Sequence, residues 1–191
     1  MNRLAVLVKR DSQWFTKFVK KGDLFKQFER LLMDERWEVQ HQCIKLLHDA
    51  LPTFGNYIEW CVSYLLPCIV TKLGSPKITI RRITNQMLTA YLKLQPGALN
   101  TVQKVLSTFL LNNECDTRTK DEALAEIPNL MIAECAEQSW RILIDGLVKM
   151  MLMVTPERRE KIAGLLAGFS GTVSALLFEK KLRLAKRVVF H

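Results

Sequence analysis

Four segments of this chain repeat one pattern at intervals of about forty residues, and that period restricts the fold more than any single motif. The segments are WEVQHQCIKLLHDAL, ITIRRITNQMLTAYL, TRTKDEALAEIPNLM and ERREKIAGLLAGFSG. Their third residues, Val39, Ile80, Thr119 and Arg159, are spaced 41, 39 and 40 residues apart. Four residues further on stand the small side chains Cys43, Thr84, Ala123 and Ala163. Four more bring Leu47, Leu88, Ile127 and Ala167. Each segment follows a first apolar helical stretch across a short turn. A helix pair cannot bury its apolar face alone, so repeated pairs stack on one another into a solenoid. The small residue leaves room for close approach of the paired helix.

The stretch from Glu59 to Leu94 is the clearest unit. Leu65, Leu66, Ile69, Val70 and Leu73 fall at helical spacing. Gly74-Ser75-Pro76 interrupts them, and reads as a C-cap glycine followed by a turn proline. Ile80, Ile83, Met87, Leu88, Tyr91 and Leu92 then resume on one stripe. LLPCIVTKLGSPKITIRRITNQML resembles the HEAT consensus: Pro67 occupies the first-helix proline, and Ile80-Arg81 occupy the usual Val-Arg pair. Gly74-Ser75 stand where that family has an aspartate. The expected fold is all-α, a right-handed α-α superhelix of the HEAT or armadillo type with four to five helix pairs.

Composition agrees with a packed core. Apolar residues make up 49% of the chain, too many for a disordered segment. No apolar run approaches the length of a membrane-spanning helix. The net charge of +9 predicts an acidic partner surface. The five cysteines, Cys43, Cys61, Cys68, Cys115 and Cys135, form no C-x-x-C pair and complete no zinc spacing with His41, His48 or His191. His41 and His48, seven apart on one helix, read as surface or cap histidines rather than a metal pair. Reduced thiols imply an intracellular, cytoplasmic protein. No metal or cofactor is expected.

Three regions follow. Residues 1–21 are basic and partly apolar, with Trp14, Phe15 and Phe18, and read as a capping helix. Residues 22–168 form the solenoid. Within it, Leu24, Phe25, Phe28, Leu31 and Leu32 predict one buried stripe, and Leu99, Val102, Val105, Leu106, Phe109 and Leu110 another. The Met-rich stretch 138–154 reads as core filling. Thr155-Pro156 restart a helix with proline at its first position. Residues 169–191 read as a basic amphipathic helix, with Lys180, Lys181, Arg183, Lys186 and Arg187 among Leu182, Leu184 and Val188. That segment suits an incomplete further repeat.

The chain carries no Gly-rich phosphate loop, G-x-S-x-G elbow or H-E-x-x-H, so it reads as a non-catalytic binding module. Stacked repeats present their internal turns along one edge. Here that edge should carry Arg36, Trp37, Ser75, Lys77, Thr117, Arg118, Pro156 and Arg158. On physical grounds Trp37 is open to two readings: an exposed anchor for an acidic partner, or a cap over its own repeat core.

WEVQHQC is similar to the opening turn of TOG domains, Trp-Lys-x-Arg-x-x-Ala. TOG domains are HEAT arrays, and the likeness is nearest to those of the crescerin and CLASP groups. The resemblance covers roughly residues 22–168, its specific part being one turn. It implies binding of αβ-tubulin or microtubules through Arg36, Trp37, Ser75, Lys77, Thr117, Arg118 and Arg158. It further implies a monomeric module acting on the microtubule cytoskeleton of cilia, centrosomes or spindles. Gln40 replaces the arginine of that pattern, and the second turn lacks its acidic and asparagine positions. Two other functions stay open: a HEAT scaffold for a different acidic protein, and a helical-repeat enzyme of nucleic acid with a basic face. Nucleic acid is not the expected partner.

Overall fold

A computed structural model describes residues 23–55, 58–112, 114–131, 144–145, 147–148 and 156–168. The segments 1–21 and 169–191, and most of the Met-rich stretch 138–154, lie outside the described residues. No strand occurs among those described.

Seven α-helices are described. They are α1 (Asp23–Leu32), α2 (Trp37–Ala50), α3 (Ile58–Thr71), α4 (Ile78–Leu94), α5 (Leu99–Leu111), α6 (Thr117–Met131) and α7 (Pro156–Gly168). Each forms where apolar residues recur every three or four positions. In α1 these are Phe25, Phe28 and Leu32, all buried. In α3 they are Cys61, Val62, Leu65, Leu66, Ile69 and Val70. That helix continues through Pro67, which is exposed. The helix α2 ends in a 3-10 turn, Leu51–Thr53, with Pro52 inside it. Gly55 follows at φ +51°, a left-handed conformation that glycine adopts without strain.

The helices α1, α3 and α5 pack in series as one layer. The helices α2, α4 and α6 pack in series as the other. A single core runs between the layers. Leu47, Leu88 and Ile127 are buried in it at equivalent points of three successive repeats. So are the small residues Cys43, Thr84 and Ala123. This is the all-α solenoid that the forty-residue period requires. Ile144 and Leu147, both helical, add two more buried side chains ahead of α7.

Two local readings change. The fourth repeat is one residue out of the register proposed above. In α7 the buried residues are Ile162 and Leu166, whereas Ala163 is partly buried and Ala167 exposed. Counted from Pro156, which opens α7 as Trp37 opens α2, the positions of Cys43 and Leu47 fall on Ile162 and Leu166. Two alanines four apart imitate the pattern but bury less surface than Ile and Leu, so burial selects the latter. The second correction concerns Gly74. It is not a left-handed C-cap, since Gly55 alone among the described residues has positive φ. Gly74 ends a 3-10 turn, Lys72–Gly74, and is buried. A Cβ there would overlap Thr119 Cγ2 and the Thr119 carbonyl. The glycine permits one repeat's turn to sit against the start of the next repeat's second helix.

Candidate functional site

The turns that open α2, α4 and α6 are each braced differently. In the first, Asp34 accepts a fork from Arg36, with Nε to Oδ1 and Nη2 to Oδ2 both at 3.0 Å. The Arg36 backbone N–H adds a third bond to Oδ1 at 2.9 Å. These bonds hold the Asp34 carboxyl down at about 2. In the second turn, Ser75 Oγ accepts the Lys77 N–H at 3.3 Å, and no side chain caps the start of α4. In the third, Asp116 caps α6: its carboxylate accepts the Thr119 hydroxyl, and the Thr119 N–H at 2.9 Å. Those bonds hold Asp116 below the usual carboxylate range.

The residue three positions into the second helix ties each of the first two turns to its helix. Gln40 Nε2 donates to the Asp34 carbonyl at 2.6 Å, and Arg81 Nη1 donates to the Ser75 carbonyl at 2.8 Å. Gln40 departs from the arginine of the TOG pattern yet makes the equivalent bond, because an amide and a guanidinium both carry N–H donors on long stems.

Trp37 is 38% exposed and Ile78, at the same position of the next repeat, is 48% exposed. The Lys77 ammonium lies over the Trp37 ring, 5.9 Å from its centroid. That contact joins the first two turns, and the Gly74–Thr119 contact joins the second to the third. Arg36, Trp37, Ser75, Lys77, Thr117 and Arg118 therefore follow one another along one edge. All but Ser75 are exposed; Ser75 is half-buried. Arg158 belongs to α7, at the position of Val39, Ile80 and Thr119, and its side chain lies outside the described residues. Lys161 pairs with Asp121 at 3.0 Å and holds α7 against α6.

Sequence reasoning missed Ile78, although alignment with Trp37 marks it. It also missed what underlies the edge. Arg81 reaches from α4 to Glu122 and Glu126 of α6 at 3.1 and 3.2 Å. Asn85 Nδ2 donates to the other Glu126 oxygen. On the opposite layer, Trp60 and Tyr64 are exposed and meet the Phe25 ring edge-on at 5.5 and 6.3 Å.

Cys43, Cys61, Cys68 and Cys115 are free thiols. Burial pushes the Cys43 and Cys61 thiols up to about 12, which makes them poor nucleophiles. The His48 ring contacts Asp49 at 3.1 Å. No helix among the described residues is long and apolar enough to cross a membrane.

The architecture and the turn edge define a class: a helical-repeat solenoid with the form of a protein-binding module. No protein-family model matches the chain. Its sequence is 42% identical over 144 residues to the crescerin-like protein che-12 of Caenorhabditis elegans, a match covering 75% of this chain. The chain belongs to the crescerin family of TOG-type repeat proteins. It spans about a ninth of that relative, 11% of its length. Among solved structures it matches a designed armadillo repeat protein in complex with a (KR)4 peptide, at 13% identity and a TM-score of 0.39, over 98% of this chain and 90% of that one.

Proposed function

We propose that the edge formed by the turns before α2, α4 and α6 binds an acidic protein, and that this protein is αβ-tubulin. The observation that carries the reading is the composition of the edge. Two large apolar side chains, Trp37 and Ile78, stand exposed in consecutive turns beside Lys77, with Arg118 in the next. Interface energy concentrates in aromatic anchors that become desolvated, with charge around them. Exposed apolar side chains flanked by cations favour a protein partner over a phosphate backbone, which asks chiefly for cations and hydrogen-bond donors. Crescerin-family membership and the Trp37 turn support tubulin in particular. On this reading the module acts on microtubules, in the cilium or at the centrosome.

Arg36 has a smaller part than its exposure suggests. Its guanidinium is forked onto Asp34, so the first turn offers Trp37 rather than net charge. Lys77 and Arg118 supply the attraction. Charge of this kind speeds encounter and sets register more than it adds affinity.

The test is a titration of fluorescent chain with soluble αβ-tubulin at low and high salt, with duplex DNA as competitor. Lys77→Glu should weaken tubulin binding clearly at low salt and much less at high salt, where charges are screened. DNA should compete poorly. Binding to DNA but not to tubulin would replace this reading with the nucleic-acid one. Binding to neither would favour a scaffold for a different acidic protein.

A further inference from the structure

The second turn differs from its neighbours in having no acid of its own. Asp34 and Asp116 brace the first and third turns with carboxylates, while neither α2 nor α4 receives a side-chain cap. In the place of Asp34 stands Ser75, followed by Pro76. Ser75 has φ −60° and ψ 138°, the extended backbone usual before proline. All peptide bonds described are trans. Pro76, Lys77, Ile78 and Thr79 are exposed.

We infer that Ser75 is a phosphorylation site for a proline-directed protein kinase, and that its phosphate switches off the binding edge. An extended Ser-Pro step, with Ser75 half-buried and Pro76 exposed, suits such an enzyme, because proline has no N–H to leave unpaired in the cleft. In the reaction Ser75 Oγ attacks the γ-phosphorus of ATP. The new Oγ–P bond forms as the bond from that phosphorus to the β,γ-bridging oxygen breaks. ADP leaves, and the hydroxyl proton passes to the kinase's base.

The local structure receives the product well. Ser75 Oγ already accepts the Lys77 N–H, and Arg81 already donates to the Ser75 carbonyl. The phosphate would therefore sit beside Lys77 at the start of α4, where helix N–H groups favour an anion, with the Arg81 guanidinium behind the turn already paired to Glu122 and Glu126. It would put an acid where Asp34 stands before α2. It would also place roughly two negative charges beside Lys77, the cation over Trp37. The edge would then repel the acidic surface it otherwise attracts. The switching part rests on the tubulin reading above; the modification itself does not.

The experiment treats the folded chain with ATP and a proline-directed kinase, maps phosphate by mass spectrometry, and then measures tubulin binding. A phosphate is expected on Ser75, absent there in Ser75→Ala and in Pro76→Ala, and mapped separately from any on the chain's other such step, Thr155-Pro156. Phosphorylated chain should bind tubulin about tenfold more weakly at low salt, with the difference shrinking as salt rises. If a peptide of this turn is modified while Ser75 in the folded chain is not, the site is overturned. If Ser75 is modified and tubulin affinity is unchanged, the switch is overturned. Failure of the unmodified chain to bind tubulin would sink the functional reading and the switch with it, while the mass map would still decide the modification.

Discussion

Lys77 and Arg81 lie four residues apart at the start of α4, and the structure gives them opposite work. Lys77 is exposed on the turn edge and its ammonium meets only the face of Trp37 among the contacts described. Arg81 points the other way, into the joint between α4 and α6. Its side chain is 13% exposed, as is Glu126, and Glu122 is 29% exposed. One guanidinium there bonds two carboxylates of the next repeat and a carbonyl of its own turn. The helices α2 and α4 also pack together, each burying a stripe in the core, Cys43, Ile44 and Leu47 in one and Ile80, Thr84 and Leu88 in the other. On the proposed function, a basic residue in a repeat thus serves either the stack or the partner. Which of the two depends on whether the neighbouring repeat supplies acids within reach.

That contrast can be broken by mutation. Arg81→Ala should have the largest effect, destabilising the chain by about 3 kcal/mol, because it removes the guanidinium from Glu122, from the Ser75 carbonyl and from Glu126, which keeps Asn85. Thermal or urea unfolding checks this, and a change no larger than that of a surface residue would show that the joint is not ionic in character. Gly74→Ala should cost about 1–3 kcal/mol, since the added methyl meets Thr119 backbone that cannot easily give way. Lys77→Ala should leave stability within about 0.5 kcal/mol of the parent. If it destabilised the chain as much as Arg81→Ala, the division between edge and joint would be wrong.

The smallest effect is in acid. Asp34 is depressed by Arg36 to about 2 from an ordinary 3.8, so its clasp is fully present above the ordinary value and is lost as pH falls toward about 2. Following the Asp34 carboxyl by NMR should give that low value, and Arg36→Ala should raise it only part of the way toward 3.8, because the bond from the backbone N–H of residue 36 remains. An unshifted Asp34 in the parent chain would mean that Arg36 is free to meet a partner after all.

Much of this fold was legible because a solenoid writes its core as a period. Val39, Ile80 and Thr119 located the second helices to within the first turn, and the stripes through Leu65–Leu73 and Ile80–Leu92 are buried as spacing requires. The fourth repeat slipped because two alanines matched the pattern that Ile162 and Leu166 fulfil. Gly74 was misread because a glycine that ends a helix and a glycine that admits a neighbour look alike in one dimension. The exposure of Trp37 and Lys77 was legible from their turn positions. The pairings of the edge were not. Nothing local in the sequence tells that Arg36 is spent on Asp34, or that Arg81 faces residues forty positions further on. The resemblance to TOG arrays directed attention to Gln40 as a departure, while the geometry makes it an equivalent brace.

The central claim is that Trp37 serves a partner and not its own core. The direct test measures tubulin affinity and melting temperature together for Trp37→Ala. Loss of the anchor should weaken binding by about 2 kcal/mol or more while the melting temperature stays near that of the parent. Undiminished binding together with a sharp fall in melting temperature would contradict the account, and would make Trp37 a core residue.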